Sequence, residues 1–381
     1  MATLEERLPS SRIPTIGIDC RFAATRSGIG RYTQELVQAL LKRNDPWRYV
    51  LFVADAKGHG LGALPHSGNF QFSIFNFQHY SIGEQLFFPR AIQRSKVSLM
   101  HFPHFNAPLF CSIPFIATIH DLILHTYPNE ASFLKRAAYR LLMRSAVTRA
   151  QHLIAVSRFT AEELAKMYGE NVQRKTSVIH EGISENFHPA SESEKRRITE
   201  KYRLPSHFLL YVGAAKEHKN VQTLIDACQD AEQLVLVTGG KEAARLRLRP
   251  NTRILEGVDD NDLPALYSLA RCFVLPSLAE GFGLPILEAM ACGCPVVASN
   301  CASIPEIAGG HALLVEPTVK GLSEGIRKVE SGPPFAPAEL RRGKQWKVES
   351  GSMEHARSFT WERAAEETAK VYASVLSYVG I

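Results

Sequence analysis

The chain has 381 residues, more than one domain of ordinary size needs and enough for two. A composition of 45% hydrophobic and 22% charged residues excludes a disordered chain, and a formal net charge of +6 permits an anionic ligand or membrane surface without calling for nucleic acid. Seven cysteines, odd in number, irregularly spaced and without a C-x-x-C pair, exclude a disulfide framework and read as reduced, buried thiols.

The opening segment, MATLEERLPSSR, carries acids and lacks the apolar centre of a secretory leader. From there, short apolar runs alternate with helical patterns, which predicts a parallel α/β architecture. In the first half, strands are expected at Thr15–Asp19, Tyr49–Ala54, Gln71–Phe75, Leu99–Phe102, Phe115–Ile119, His152–Val156 and Thr176–His180. Helices are expected at Gly30–Lys42, Ile82–Arg94, Ser132–Ala150 and Arg158–Tyr168. The helix from Ser132 carries Lys135, Arg136, Arg140, Arg144 and Arg149 beside Phe133, Leu134, Leu141, Leu142 and Val147. Such a helix suits anionic lipid, and equally suits packing on its own sheet with a solvated basic face.

Ser184–Lys201 is polar, with Pro189 and three serines, and reads as a linker leading into a helix of the second half. The strand pattern then restarts at Phe208–Val212, with a helix at Val221–Cys228 and strands at Leu234–Thr238, Thr252–Leu255, Cys272–Leu275, Pro295–Ala298 and Ala312–Val315. The expected division is 1–185, 186–355 and a last helical segment, 356–381, which either crosses back to the first domain or caps the second. Two doubly wound units are predicted, each with its ligand edge at the strand C-termini.

Cys272 to Ser299 carries the chemistry. A buried strand ends at Pro276, and a loop follows with Glu280, Gly281, Phe282 and Gly283. Pro285 suits the first turn of a helix, where its missing N–H would have no partner. Glu280 is then placed beyond a strand C-terminus and Glu288 about one turn into the helix. The glycines allow close approach of backbone N–H groups, and the helix start suits a diphosphate. Carboxylates there suit sugar hydroxyls, since each oxygen accepts hydrogen bonds. The same stretch is the most apolar of the chain, yet Pro276, Glu280, Gly281, Gly283, Pro285, Glu288 and Gly293 break it, so membrane contact is expected to be peripheral only. Cys292-Gly-Cys294 with Cys301 lacks a nearby His or fourth Cys at zinc spacing, and no metal site is expected.

Glu280 and Glu288, separated by seven residues within E-G-F-G-L-P-I-L-E-A-M-A-C-G-C-P-V-V-A-S, resemble the signature of glycosyltransferase family 4. That resemblance implies the GT-B fold, with two Rossmann-like domains facing a central cleft, and transfer with retention of the donor's anomeric configuration. Tyr211-Val-Gly-Ala-Ala-Lys-Glu-His-Lys-Asn220 resembles the family segment whose basic pair holds donor phosphates. Lys219 matches it, and His218 stands where arginine is usual; a neutral imidazole has no fixed fork of donors. Ser27-Gly-Ile-Gly-Arg-Tyr-Thr33 resembles the family's glycine loop after the opening strand, with Gly28 and Gly30 preceding a helix. Thr118-Ile-His-Asp-Leu122 resembles its H-D segment, with His120 near the donor sugar and Asp121 positioned to orient it. Val156-Ser-Arg-Phe-Thr160 and Val178-Ile-His-Glu-Gly-Ile183 also resemble family segments. Gly257 to Leu263, with Val258, lies where the family contacts the nucleotide base.

The implied catalytic set is His120, Asp121, Lys219 and Glu280. The implied donor-binding set is Gly28, Gly30, His218, Lys219, Val258, Glu280, Gly281, Phe282, Gly283, Leu284 and Glu288. Neither metal nor cofactor is implied, and Asp260-Asn-Asp262 falls in the base-contacting loop. The S-G-I-G-R-Y-T and H-K-N segments resemble bacterial polysaccharide mannosyltransferases. They imply GDP-mannose as donor and a polyprenyl-diphosphate-linked oligosaccharide as acceptor, at the cytoplasmic face of the cell membrane. Two alternatives stay open: transfer from a UDP-sugar to a soluble or lipid acceptor, and a sugar-nucleotide-binding protein without activity, which His218 favours. A phosphorylase-like enzyme lacks a recognisable lysine for a pyridoxal cofactor, and an epimerase would carry different acids.

Overall fold

The computed structural model describes residues 13–25, 27–64, 69–230, 232–330 and 350–380. The opening segment and the polar stretch before the last helices therefore lie outside the described residues. The first sheet has seven strands: β1 (Thr15–Asp19), β2 (Arg48–Val53), β3 (Phe70–Ile74), β4 (Leu99–Phe102), β5 (Phe115–Ile119), β6 (His152–Ala155) and β7 (Thr176–Val178). Their order is β3-β2-β1-β4-β5-β6-β7. The second sheet has six: β8 (Leu209–Val212), β9 (Leu234–Val237), β10 (Thr252–Leu255), β11 (Cys272–Leu275), β12 (Val296–Ser299) and β13 (Leu313–Val315), in the order β10-β9-β8-β11-β12-β13. The β1–β2, β1–β4, β8–β9 and β8–β11 pairings are parallel. Both sheets are thus doubly wound: the chain leaves β1 toward one edge and returns beside it as β4, and leaves β8 and returns as β11. Ligands of such sheets bind beyond the strand C-termini at these switch points.

The inner strands are short and apolar because both of their faces are covered, while the edge strands β3 and β10 keep exposed positions. In β1, Ile16 and Ile18 are fully buried, as are Leu51 and Phe52 of β2; Tyr211, Phe273 and Val274 fill the second core. The helices that matter below are α1 (Gly28–Leu41), α2 (Ile82–Arg94), α3 (Phe133–Arg149), α4 (Arg158–Tyr168), α5 (Glu192–Tyr202), α6 (Val221–Ala227), α7 (Leu263–Leu269), α8 (Leu284–Ala291), α9 (Ile304–Ala308) and α10 (Trp361–Tyr378).

Two sequence expectations change. Gly28 and Gly30 do not precede α1 but lie in its first turn, because Ser27 is the N-cap and its Oγ accepts the Gly30 N–H at 3.1 Å. The segment read as a linker is helical over its second part: Ser191 and Glu194 close a capping box that starts α5 at Glu192.

The chain divides into two compact units. One comprises residues up to Thr118, Leu142–Leu153 and the chain from Ala365; the other comprises Ile119–Leu141 and Ile154–Ala364. Within the first, Tyr372 of α10 lies 2.6 Å from His101 Nδ1 of β4, whose Nε2 lies 2.8 Å from Thr118 Oγ1. The indole of Trp47 meets the Tyr372 ring edge-on.

Candidate active site

The site is built on loops that leave β8 and β11, the two strands at the switch point of the second sheet. After β8 the chain makes a 3-10 turn over Glu217–Lys219, and Asn220 takes a left-handed conformation at φ 55°. The Asn220 side chain pays for this by donating to the carbonyls of Pro276 (3.1 Å) and Pro317 (3.0 Å). Leu278 N–H donates to the His218 carbonyl at 2.7 Å. The loop after β8 is thereby laced to the loop after β11.

Across that lacing, Lys219 Nζ donates to both carboxylate oxygens of Glu280 at 2.8 Å. Ser277 Oγ adds a third bond, to Glu280 Oε1 at 2.7 Å. An ammonium has three donors and a carboxylate about four acceptor positions. The pair therefore retains one N–H on Lys219 and one lone pair on Glu280 Oε2 beyond the bonds just named. Lys219 can take an anionic oxygen while Glu280 takes a hydroxyl, with Ser277 fixing the carboxylate plane.

Beyond Glu280 the loop is braced from several sides. Ser303 Oγ shares its one O–H between the carbonyls of Glu280 (3.0 Å) and Phe282 (2.8 Å), and Ser157 Oγ donates to that of Gly281 (2.6 Å). Gly283 then turns at φ 105°, in the left-handed region, as the N-cap of α8, and Leu284 and Pro285 form the helix's first turn. Pro285 has no N–H and the Ile286 N–H donates to the Gly283 carbonyl at 3.0 Å, so it is the positive end of the helix dipole that makes this turn a place for negative charge. Glu288 is 3% exposed and accepts from Tyr267 Oη of α7 at 2.9 Å. Val258 is half-buried in the loop after β10, between Gly257 (φ 65°) and Asp259. Asp262 is held by Arg197 (3.0 Å), Lys201 (2.5 Å) and Tyr202 (2.8 Å), so its carboxylate serves α5. No group of three His, Cys, Asp or Glu suited to a metal ion occurs among the described residues.

The second unit thus holds His120, Asp121, His218, Lys219, Val258, Glu280–Leu284 and Glu288 together. Gly28 and Gly30 belong to the first unit. Gly30 is a packing glycine, since a Cβ there would meet the Thr25 carbonyl at 2.1 Å, whereas a Cβ on Gly28 would meet nothing within 4 Å.

Three carboxylates not singled out from the sequence support the set. His120 Nδ1 lies 3.0 Å from Glu181 Oε1, while Asp121 Oδ1 accepts the Ile123 N–H at 3.0 Å. The Glu130 carboxylate accepts from both His218 N–H (3.0 Å) and His218 Nδ1 (2.6 Å), and His218 is 4% exposed. Glu306 of α9 accepts the N–H groups of Arg158 and Phe159 at the start of α4, and lies 2.7 Å from His180 Nε2. Glu181 was visible within the V-I-H-E-G-I segment. Glu130 and Glu306 carry no sequence signal of their own, being single acids in loops and short helices.

Burial raises the Glu306 carboxyl, but His180 and the two backbone donors outweigh it, so its pKa stands below the ordinary value. A carboxyl lowered on folding adds stability above its unfolded pKa and loses it as pH falls through the folded one. Glu306→Ala is expected to cost about 1–2 kcal/mol at neutral pH by removing a helix cap. That cost should shrink in melts taken at progressively more acid pH. A cost independent of pH would show that the charge of Glu306 is not what counts.

Two doubly wound parallel sheets, with a lysine–glutamate pair and a helix start at the second switch point, define a GT-B glycosyltransferase. Residues 26–187 match the family model described as Glycosyltransferase Family 4, and residues 193–346 match that described as Glycosyl transferases group 1. The O-antigen chain mannosyltransferase B of Escherichia coli is 28% identical over 382 residues, covering 91% of this chain and 96% of that protein. Among solved structures, a sucrose-phosphate synthase from Thermosynechococcus elongatus superposes with a TM-score of 0.73 at 21% identity, covering 96% of this chain and 100% of the other. The Anabaena protein HepE, solved in complex with UDP-glucose, superposes at 0.70 and 18% identity, covering 95% and 100%. The chain belongs to glycosyltransferase family 4 and resembles bacterial polysaccharide mannosyltransferases.

Proposed function

We propose that the protein is a retaining mannosyltransferase of cell-surface polysaccharide assembly, taking mannose from GDP-mannose and passing it to a lipid-linked oligosaccharide. The mannosyl reading draws on the likeness to the O-antigen mannosyltransferase along nearly the whole of both chains. The observation that carries the chemistry is the Lys219–Glu280 pair, with one donor and one acceptor position still to give. In this reading Lys219 and the first turn of α8 neutralise charge growing on the leaving diphosphate. Glu280 holds hydroxyls of the donor sugar, and Glu288, oriented by Tyr267, those of the ribose. His120, backed by Glu181, faces the donor sugar. Retention follows by front-face displacement, with the leaving phosphate accepting the acceptor's proton.

The acceptor's lipid places the enzyme at the cytoplasmic face of the membrane. In α3, Phe133 and Leu134 are 73% and 78% exposed, and Lys135, Arg140 and Arg144 are exposed as well. Apolar and basic side chains together on one exposed helix suit the surface of an anionic bilayer. No described helix is long and apolar enough to cross it.

The test is a panel of nucleotide sugars with polyprenyl-diphosphate-linked acceptors, in excess chelator. GDP-mannose is expected to be consumed, with an α-linked product seen by NMR. Consumption of a UDP-hexose in its place would overturn the donor assignment. Binding of nucleotide sugars without transfer or hydrolysis would reduce the protein to a binder.

A further inference from the structure

The turn that carries His218 and Lys219 is held from the chain just beyond the H-D segment. Asp121 Oδ1 accepts the Ile123 N–H at the start of a short helix, Ile123–Thr126, and a 3-10 turn over Pro128–Glu130 follows. Pro128 fixes its own φ, so this turn is a stiff base for the carboxylate at its end. From there one oxygen, Glu130 Oε1, accepts both the His218 backbone N–H (3.0 Å) and its Nδ1–H (2.6 Å). The pair is largely out of water, with the Glu130 and His218 side chains 9% and 5% exposed. On the other side of the same residue, the His218 carbonyl accepts the Leu278 N–H. His218 is thus fixed through both of its backbone polar groups and through one edge of its ring.

A carboxylate only accepts, so this grip keeps a proton on His218 Nδ1. The other ring nitrogen, Nε2, has no partner among the described residues, yet it is not among their sealed, unpaired atoms, so it opens on solvent. When it carries a proton as well, Nε2 offers one N–H, in a direction set by the hold on the opposite edge of the ring. An arginine brings five donors in a rigid fork and needs no such help. An imidazole has two, and one of them is engaged with Glu130. What the ring can offer an anion therefore depends on its aim, and a side chain is aimed by the groups behind it. Lys219 is the next residue on the same turn, and its Nζ already gives two N–H groups to Glu280. The direction of its third follows the turn as well.

We infer that Glu130 is a positioning residue for the donor's diphosphate: it aims His218 Nε2 at a phosphate oxygen and steadies the turn that presents Lys219. This inference rests on the reading that a nucleotide diphosphate sugar binds beside Lys219. Glu130 acts through His218 and not on the ligand, since a carboxylate in contact with phosphate would repel it. The histidine that stands where arginine is usual is then no sign of a lost activity. A fork of donors is replaced by a single donor whose direction is held from behind. The stretch of chain that carries His120 thereby also sets the group offered to the phosphates, through the hydrogen bonds that Glu130 accepts.

The test compares Glu130→Ala with Glu130→Gln on the full chain, with GDP binding read by calorimetry and guanosine binding by saturation-transfer NMR. Glutamine keeps a carbonyl oxygen that can accept both bonds, and alanine can accept neither. Glu130→Ala is expected to weaken GDP binding about tenfold to hundredfold, the usual effect of losing one hydrogen bond to a charged group. The donor KM should rise in step, while guanosine, which has no phosphate, binds as before. Glu130→Gln should bring GDP affinity and donor KM back to within about threefold of the wild type. Loss of guanosine along with GDP would mean a merely structural role and would overturn the inference. So would a Glu130→Ala protein that binds GDP like the wild type, or a Glu130→Gln protein no better than Glu130→Ala. Should the wild type take UDP in place of GDP, the same comparison is made with UDP and uridine. A wild type that binds no nucleotide would strike at the proposed function itself, and this inference would fall with it.

Discussion

Lys219→Ala should slow sugar transfer by about 10²–10³-fold, the usual cost of losing one charged group aimed at a developing negative charge. The substitution removes the proposed donor to the diphosphate and also leaves Glu280 without its cation. Glu280 is 7% exposed, so an unpaired carboxylate there should cost stability as well. Deleting one member is expected to cost about 2–3 kcal/mol, below the about 3–5 kcal/mol of fully buried pairs, since the Lys219 side chain is 22% exposed. The two effects separate in a double-mutant cycle. Lys219→Ala with Glu280→Ala should recover much of the stability, because no uncompensated charge remains, and none of the activity. Thermal melts and single-turnover transfer rates on the four proteins decide the matter. If the double variant regained activity along with stability, the single variant would have failed by unfolding, and the pair would have no chemical role.

The legible part of this fold was its alternation. Apolar runs of four to six residues, punctuated by glycine and proline, located β1 through β13 to within two residues at each end, because a strand covered on both faces has to be apolar throughout. Two kinds of feature were missed. Capping decided where α1 and α5 begin: Ser27 looks in sequence like any loop serine, whereas Ser191 with Glu194 has the S-x-x-E spacing of a capping box, a readable signal that the linker reading passed over. Long-range polar contacts were also hidden: Glu130 reaches His218 over 88 residues and Glu181 reaches His120 over 61. Nothing in a loop acid reveals which distant donor it meets. The Lys219–Glu280 pair, 61 residues apart, was foreseeable as a shared site because both members follow strands at a switch point. Their direct contact was not foreseeable.

Gly281 and Gly283 were read alike from sequence, as glycines that bring backbone close to a ligand, and the structure gives them different burdens. A Cβ on Gly281 would stand 1.8 Å from the His120 carbonyl oxygen and 2.8 Å from its carbon. The close approach there is made by the chain itself: the backbone of the H-D segment rests on the E-G-F-G loop. Thr160 Oγ1 lies 3.3 Å from the carbonyls of both His120 and Gly281, clamping the two together. A methyl group at Gly281 must push His120 away by an ångström or more, since backbone cannot yield as a flexible side chain does. Overpacking of this kind costs about 1–3 kcal/mol. Displacing a substrate-facing group by ~1 Å can cost about 10²-fold in rate. Gly281→Ala is thus expected to lower both the melting temperature and kcat, with the rate loss persisting well below the melting transition. Gly283→Ala meets only Ile286 Cδ1, at 3.6 Å, so its cost is the left-handed backbone, about 1–2 kcal/mol. Equal rate losses in the two variants, each measured well below its own melting point, would mean that the position of His120 does not govern transfer.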